Sequence, residues 1–389
     1  LGIEGEIPLS RKQVRIIQLS VEEDSCREVS DIGHTRIYST DRLGMPLIET
    51  VTYPEMLTPD EAAEAAHYIR FLARSTGKVR TGIGAAREDV NVSISGGTRV
   101  EIKGVAHIAW IPELVHNEAF RQKALLEIRE ELQRRLGDGK EWRIAVREAD
   151  AAASGCDFPA VRDAQQRKLR LQAVNLTGFR GILSHFTQPG KTFADEISDR
   201  LKVIACLEKP NMLHSEELEP VPGMDVFPAL RQALNAGEND AQLLFWAADD
   251  DIKTALETIE ERCRLAWSGV PNETRKGLAD GRTIFERVLP GPDRMYPDTD
   301  SAPIPVEEEL IERVRAAMPP EVSRRLEQFR AWGVPPDTFT FLLRYNLAPW
   351  LEKINADLGF APRFTAVVLG HNLKNLAGKT PALAGFKYQ

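Results

Sequence analysis

The chain has 389 residues, of which 42% are hydrophobic and 28% charged, a composition typical of folded globular domains. Its length predicts roughly two or three domains, and its net charge of -8 excludes a uniformly basic nucleic-acid or membrane binder, though not a local basic surface. Four scattered cysteines without a C-x-x-C pair argue against a zinc site or a disulfide framework and favour a reducing cytoplasm. No apolar run approaches the roughly 20 residues that a membrane-spanning helix needs.

The first predicted strands carry acidic residues on their apolar faces. Along residues 14–24, alternate positions place Glu23 on one face with three apolar residues. That predicted apolar face consists of Ile17, Leu19 and Val21. In the same way, the alternation of residues 46–51 places Glu49 on an apolar face. We therefore expect Glu23 and Glu49 to point inward.

Two helices have clear sequence signals. Thr58 is a typical N-cap, Pro59 suits the first helical position, and Glu61 completes a capping box. This first helix is expected to end near Gly77. A second and longer amphipathic helix is predicted over residues 112–136, where leucines and isoleucines recur at helical spacing among many charges.

A β-hairpin is predicted between these helices. A three-residue loop over residues 96–98 would pair Asn91 with Lys103, whereas a two-residue loop would mix polar and apolar faces. We therefore predict the longer loop with a glycine bulge. One face of the hairpin then carries four polar residues, namely Asp89, Asn91, Glu101 and Lys103.

The rest of the chain changes character twice. Residues 169–267 alternate short strand and helix patterns, which predicts a separate α+β domain. A loop rich in Pro, Gly and Asp over residues 289–298 leads to a helix, and helices dominate from there to the end. The apolar face predicted for the first of these helices is Val306, Leu310, Ile311, Val314 and Met318.

Glu23, Glu49 and Asp89 are three carboxylates from three predicted strands. Carboxylate oxygens are the ligands that Mg²⁺ prefers when it also contacts nucleotide phosphates. Acids at strand ends also commonly form surface ion pairs, here with arginines such as Arg42 or Arg87. Strand periodicity does not separate a metal-nucleotide site from such ion pairs, so both interpretations stand.

Lys103 and Arg42 are candidate phosphate ligands. Either cation could neutralise a phosphate or a developing acyl phosphate, although a single Lys or Arg is more often a solvated charge. The pair Gly82 and Gly84 lacks the third glycine and the following helix of a dinucleotide-binding loop. Paired histidine ligands and a G-x-S-x-G nucleophile signature are also missing from the sequence.

Five ordered motifs resemble one family of proteins. They are IPLSRKQVRIIQLSVEED, DRLGMPLIET, REDVNVSISGGTRVEIKGV, GVPNETRKGLADGRT and LPGPDRMYPDTD. The sequence is similar to the GatB/GatE family of tRNA-dependent amidotransferase components, GatB being the bacterial and GatE the archaeal form. The segments GFRGILSHF and HSEELE resemble the GAD domain that GatE has and GatB lacks, which favours the GatE type.

The resemblance implies an enzyme that uses ATP and Mg²⁺. It would phosphorylate the γ-carboxylate of glutamate carried on tRNA(Gln), after which ammonia displaces phosphate to give Gln-tRNA(Gln). The ammonia would come from an asparaginase-like partner protein, so a hetero-oligomer that binds Glu-tRNA(Gln) is expected. Phosphoryl transfer needs positioning and charge neutralisation rather than a dedicated nucleophile, which is compatible with acids and cations and no triad.

The family's motif residues match particular positions of this chain. The resemblance implies that Glu23, Glu49 and Asp89 line the catalytic metal and nucleotide cradle, with Glu23 and Glu49 as metal ligands. It also implies substrate or nucleotide contacts for a second set, namely Arg42, Asn91, Glu101 and Lys103.

The implied fold is α+β, with a mixed β-sheet cradle over residues 1–168 and 269–306, a GAD-like insert at 169–268 and a helical domain at 307–389. The family's opening strand, with a Glu and a His of the metal site, has no counterpart before Leu1. The C-terminal tRNA-binding tail also lacks a counterpart, so a fragment is expected. Ser39 and Cys26 stand where the family has other residues. The alternative is therefore a non-catalytic fragment that binds tRNA or docks a partner.

Overall fold

The computed structural model describes the chain over residues 2–80, 82, 84–150, 153, 155–219, 221–288, 304–318 and 320–380. The predicted loop 289–298 therefore lies outside the described residues. Helices and several sheets occur together along the chain, which confirms the α+β class. Among the helices that the structure describes, none is long and apolar enough to cross a membrane.

The strands, numbered in chain order, are β1 (Gly2–Pro8), β2 (Gln13–Glu23), β3 (Arg27–Ile32), β4 (Thr35–Ser39), β5 (Pro46–Thr52), β6 (Glu88–Val92), β7 (Val100–Val105), β8 (Ala145–Glu148), β9 (Arg170–Leu176), β10 (Phe186–Gln188), β11 (Lys191–Thr192), β12 (Met212–His214), β13 (Ala241–Ala247), β14 (Glu273–Gly277) and β15 (Thr283–Val288). Their sheets have the orders β1-β2-β5, β3-β4, β10-β11, β12-β13-β9-β8 and β15-β14-β7-β6. Strands β1, β3 and β4 were not predicted from the sequence.

The helices are α1 (Pro59–Ser75), α2 (Ile111–Leu136), α3 (Pro159–Gln166), α4 (Phe193–Ile204), α5 (Val226–Ala233), α6 (Asp249–Leu265), α7 (Glu308–Ala317), α8 (Val322–Ala331), α9 (Phe339–Arg344), α10 (Ala348–Leu358), α11 (Pro362–Val367) and α12 (Lys374–Lys379). The predicted spans of α1 and α2 are confirmed. In α1, the Glu61 N–H donates to Thr58 Oγ1 at 3.2 Å, and the helix ends two residues before Gly77, whose φ is +68°.

The chain divides into two compact units. The first comprises residues 1–22, 48–86 and 300–389, and the second comprises 23–47 and 87–299. The division into cradle, insert and helical domains stays a prediction. Strand β8, which lies before residue 169, pairs with β9.

In the first unit, the sheet β1-β2-β5 packs one face against α1. Ile7 of β1, Val14 and Ile16 of β2 and Ala65 of α1 form this core. The inward-facing apolar face predicted for β2 is therefore wrong. Its residues are exposed: Ile17 by 38%, Leu19 by 40% and Val21 by 64%.

The inward orientation predicted for the two acids is wrong for the same reason. Glu23 is only half-buried and Glu49 is exposed. Alternation defines two faces of a strand without saying which is covered. The packing of α1 on Val14 and Ile16 makes that choice, and it leaves Glu23 on the opposite face of β2.

The C-terminal part of the first unit is helical, as predicted. Helices α8 to α11 enclose a core that includes Phe329, Leu342 and Leu351, all fully buried. The helix predicted near residue 306 is α7, and none of its residues is buried. Its apolar stripe is exposed, for example Leu310 by 42% and Val314 by 55%.

In the second unit, the sheet β12-β13-β9-β8 lies between two layers of helices. Every residue of β13 is buried, as are all residues of β9 except Arg170. Val174 and Phe245 face the core shared with α2, α4 and α6. Leu171 and Leu244 face the core shared with α3 and α5. Burial on both faces explains the nearly continuous apolar sequence of these strands.

The other large sheet of the second unit is mixed. Strand β14 runs parallel to β7, while the remaining pairs are antiparallel. The predicted hairpin of β6 and β7 forms, but its register is wrong by two residues, since Asn91 lies opposite Glu101 and not Lys103. The connection spans residues 93–99 instead of three residues. An irregularity between Glu88 and Val90, at the far end of the hairpin, accompanies this register. An even shift leaves the predicted faces unchanged.

The same unit contains what we call the buried charge cluster. Its members are Glu118 and Arg121 of α2, Glu196 and Arg200 of α4, Arg262 of α6, and Glu273 and Arg275 of β14. Each is at most 3% exposed. Arg121 connects the cluster, with its Nε 2.7 Å from Glu196 Oε1 and its Nη2 2.5 Å from Glu273 Oε1. Buried charges require such pairing, because removing an ion from water is costly.

Candidate functional site

Three of the predicted site residues meet on the outer face of the hairpin. Lys103 Nζ lies 2.9 Å from Asp89 Oδ2 and 3.0 Å from Glu101 Oε1. Asn91 lies opposite Glu101 in the strand register. Alternation in β6 and β7 accounts for this grouping, as the sequence predicted. We call Asp89, Glu101 and Lys103 the hairpin trio.

The backbone of β7 helps to fix the trio. Gly104, with a φ of +64°, donates its N–H to Asp89 Oδ1 at 2.8 Å. A residue with a side chain adopts this φ only with strain. Asp89 is thereby held from both sides, by the backbone of one strand and by the side chain of Lys103.

The trio remains accessible to a ligand. The side chains of Asp89, Lys103 and Glu101 are 37%, 27% and 18% exposed. Partial burial by itself lowers the pKa of Lys103, but the two neighbouring carboxylates outweigh this effect and raise the pKa above its ordinary value. Lys103 is therefore firmly cationic at neutral pH, and the trio carries a net charge of about -1.

A second group of charges involves Arg42 and an acid that was not selected from the sequence. Asp24 is only 2% exposed, and its Oδ2 lies 2.5 Å from Arg42 Nε. Its Oδ1 lies 3.4 Å from Arg87 Nη2. We call Asp24, Arg42 and Arg87 the Asp24 group. It carries one negative and two positive charges, a net charge of about +1.

Asp24 was missed because alternation placed it on the polar face of its strand. Its position directly after β2, where the chain leaves the strand, was the available signal. Arg42 and Arg87, which we considered as surface ion-pair partners of Glu23, Glu49 or Asp89, both pair with the buried Asp24.

The two predicted metal ligands lie in different units of the chain. Glu23 belongs to the second unit and Glu49 to the first. Glu49 Oε2 accepts a hydrogen bond of 3.4 Å from Ser20 Oγ. Within the described ranges, no three His, Cys, Asp or Glu side chains are grouped so that they could hold a metal ion. The magnesium site therefore stays a prediction.

Two surface grooves of the second unit involve none of the predicted site residues. One, of about 430 Å³, lies between α2 and the segment 181–186 and includes Phe120 and His185. The other, of about 600 Å³, lies along α6 and includes Trp267. The charged groups of the hairpin and of Asp24 thus lie outside these two grooves.

The sequence comparisons identify related proteins. A family model described as the GatB/GatE catalytic domain matches residues 1–312, which include the hairpin trio and the Asp24 group. Three similar proteins are each named as the E-type component of glutamyl-tRNA(Gln) amidotransferase. One from Methanocaldococcus jannaschii is 40% identical over 333 residues, 85% of this chain and 52% of the relative.

The other two relatives match more of this chain. The protein from Sulfolobus acidocaldarius is 34% identical over 380 residues, 96% of this chain and 59% of the relative. The protein from Methanopyrus kandleri is 35% identical over 385 residues, 97% of this chain and 59% of the relative. The chain thus spans a little more than half the length of the relatives that it matches.

Proposed function

Because the chain belongs to the GatB/GatE catalytic-domain family, we propose that it carries the ATP-dependent step of a tRNA-dependent amidotransferase. The substrate is glutamate esterified to tRNA(Gln), and the product is Gln-tRNA(Gln). The names of the three relatives support this substrate, since each is the E-type component of a glutamyl-tRNA(Gln) amidotransferase.

The reaction has two chemical steps. In the first, a γ-carboxylate oxygen of the glutamyl group attacks the γ-phosphorus of ATP, and ADP leaves with the electrons of the broken bond. In the second, ammonia attacks the carbonyl carbon of the acyl phosphate, loses a proton and displaces phosphate. Both steps develop negative charge on oxygen atoms, so fixed cations close to the phosphates lower the barrier.

The observation that carries the proposal is the pair of charged groups within the region matched by the family. The hairpin trio supplies fixed carboxylates beside a permanent cation, Lys103. The Asp24 group supplies two guanidinium groups that suit phosphate oxygens. Arg87 directly precedes β6, and Asp89 follows it by two residues, so both groups adjoin one strand.

Mg²⁺ would be held by few protein ligands. A site formed by protein ligands alone does not fit the described residues, because no three suitable side chains are grouped. Mg²⁺ commonly takes only one or two carboxylates and completes its coordination with substrate phosphates and water. Such an ion needs only one of the proposed ligands, the half-buried Glu23 or the exposed Glu49, and it would neutralise phosphate charge.

The proposed protein acts within a complex. The charged groups described above have no evident means of producing ammonia, so a second protein of the asparaginase-like type is proposed as its source. The assembly would be a hetero-oligomer that binds Glu-tRNA(Gln). The hairpin and the Asp24 group would then face the acceptor end of the tRNA, where the glutamyl group is attached.

The test is isothermal titration of ATP with Mg²⁺ into the full-length protein and into its Glu49→Ala variant. A matched control is Glu6→Ala, which removes an exposed acid from β1 of the same sheet. We expect binding by the unmodified protein and by the control, and at least tenfold weaker binding by Glu49→Ala, because charge-assisted contacts contribute about 1.5–3 kcal/mol.

The outcomes separate this proposal from its alternative. If the folded full-length protein binds no ATP with Mg²⁺, the proposed reaction is wrong. Binding of tRNA(Gln) in a gel-shift assay under the same conditions would then identify the protein as a tRNA-binding or docking component. If Glu49→Ala binds ATP as tightly as the unmodified protein, the protein has a nucleotide site but Glu49 is not part of it.

A further inference from the structure

The backbone of Asp24 fastens the loop that carries Arg42. The Asp24 N–H donates to Met45 O at 2.8 Å, and the Gly44 N–H donates to Asp24 O at 2.8 Å. Within the loop, the Met45 N–H donates to Arg42 O at 3.0 Å. Two hydrogen bonds thus hold residues 42–45 against the end of β2 and a third closes the loop, so that the Cα of Arg42 has a fixed position relative to Asp24.

The Asp24 side chain then fixes the direction of two guanidinium groups. It contacts Arg42 through Nε at 2.5 Å and Arg87 through Nη2 at 3.4 Å. Two arginines from distant parts of the sequence are therefore oriented by one carboxylate.

Burial makes this carboxylate an effective anchor. Asp24 is 2% exposed, whereas the side chains of Arg42 and Arg87 are 27% and 58% exposed. A buried carboxylate requires ion-pair partners, and Arg42 and Arg87 supply them at the buried end of the group. Toward the surface, water screens the charges of the two arginines more strongly. The excess positive charge is consequently presented at the surface, on Arg87.

The position of Arg87 relates this charge to the hairpin. Arg87 is the residue before β6, and Asp89 of the hairpin trio is two residues further along. The Asp24 group has a net charge of about +1 and the trio a net charge of about -1. A metal ion bound to a nucleotide joins its phosphates to protein carboxylates, while basic side chains bind the phosphate oxygens. A nucleotide site therefore needs acidic and basic groups close together.

We propose that Asp24 is a positioning residue that aims Arg42 and Arg87 at the phosphates of the nucleotide, and that Arg87 is itself a phosphate-binding residue. This inference rests on the proposed function and extends it to two residues outside the predicted site. Arg87 stabilises the negative charge that develops on the phosphoryl oxygens, and Asp24 acts only through the two arginines.

The experiment compares four variants in the full-length protein assembled with its ammonia-supplying partner. Asp24→Asn keeps the shape and removes the charge of the anchor, while Arg87→Met and Arg87→Lys test the phosphate contact. The control is Asp41→Asn, which removes an exposed carboxylate beside Arg42; Asp41 pairs with Arg27 and accepts a hydrogen bond from Ser39. The readouts are the KM for ATP, kcat and the melting temperature.

We expect Asp24→Asn and Arg87→Met each to raise the KM for ATP about tenfold, the value of one charge-assisted contact. Arg87→Lys should recover part of this loss, and Asp41→Asn should match the unmodified protein. A purely structural role for Asp24 would lower the melting temperature without changing the KM of the folded molecules, and that result overturns the inference.

The remaining outcomes are also decisive. If Asp24→Asn does not fold, the test of the proposal rests on Arg87→Met, which should fold because Arg87 is more than half exposed. An unchanged KM for ATP in that variant overturns the proposal. If the unmodified assembly is folded and transfers no phosphate from ATP, the proposed function itself has failed. An active assembly whose Asp24→Asn and Asp41→Asn variants behave alike refutes only the role of Asp24.

Discussion

The two faces of the sheet β15-β14-β7-β6 carry the same kinds of residue in opposite environments. On the inner face, Arg275 of β14 lies beside Ile102 of β7, and both are fully buried. On the outer face, Lys276 of β14 lies beside Lys103. The neighbouring strands β14 and β7 therefore supply Arg275 to the buried charge cluster on one face and Lys103 to the hairpin trio on the other.

The difference between the faces lies in how far each charge is removed from water. In the buried charge cluster, burial alone would raise the pKa of Glu196 and Glu273, but the surrounding arginines lower the pKa of both carboxyl groups. For Glu118, burial outweighs the neighbouring arginines and raises the pKa. Charges on the inner face are closed off from solvent, whereas those on the outer face remain accessible to a ligand.

The largest expected effect comes from breaking the buried face. Glu273→Gln removes a carboxylate that contacts Arg121, Arg200 and Arg275. Because it leaves buried cations without compensation, we expect a loss of about 3–5 kcal/mol in the free energy of unfolding. Urea unfolding measures this. Glu101→Gln on the neighbouring strand is the control, with a loss below about 1 kcal/mol; similar losses in both variants would contradict the distinction between faces.

His214, a buried ionisable residue outside the cluster, should make the free energy of unfolding depend on pH. Burial lowers the pKa of His214 to about 4, although Asp195 opposes this shift. Between pH 6.5 and 4 the unfolded chain takes up a proton at this residue and the folded chain does not, so stability falls as the pH falls through that window. The shift corresponds to roughly 3 kcal/mol.

Comparison with His214→Asn tests this expectation. Asn keeps an acceptor for the Glu216 N–H, which bonds to His214 Nδ1 at 3.3 Å. Burial raises the pKa of the adjacent Glu217, and this offsets part of the effect in both proteins. We expect the unmodified protein to lose more stability than the variant between about pH 7 and 4. Parallel stability curves would contradict a neutral His214.

The outer face should affect binding more than stability. Lys103→Met removes the cation of the hairpin trio, and we expect ATP with Mg²⁺ to bind about tenfold more weakly, equivalent to about 1.4 kcal/mol. Titration calorimetry checks this. The control Lys253→Met removes a lysine that is 85% exposed on α6. Equal affinities in the two variants would exclude Lys103 from the nucleotide site.

The smallest effect is expected for the stability of the trio itself. Asp89→Asn keeps an oxygen that can accept the Gly104 N–H and removes only the charge paired with Lys103. Because both side chains are partly exposed, the free energy of unfolding should change by less than about 1 kcal/mol. A loss of about 3 kcal/mol or more in urea unfolding would mean that the outer face supports the fold as the inner face does.

The candidate site was only partly readable from the sequence. Alternation in β6 and β7 predicted that Asp89, Glu101 and Lys103 share a face, and the contacts of Lys103 confirm it. The roles of Glu23 and Glu49 as metal ligands stay predictions. Asp24 was not selected because its partners Arg42 and Arg87 are 18 and 63 residues away in the sequence.

Local signals determined the regular elements of this protein. The capping residues of α1, the periodicity of α2 and the alternation of the hairpin involve interactions among near neighbours, so the sequence alone specified them. Tertiary structure decided which face of β2 is covered, the hairpin register and the assembly of the buried charge cluster from α2, α4, α6 and β14. Those features depend on contacts between distant segments, and a short sequence pattern carries no information about which distant segment supplies the partner.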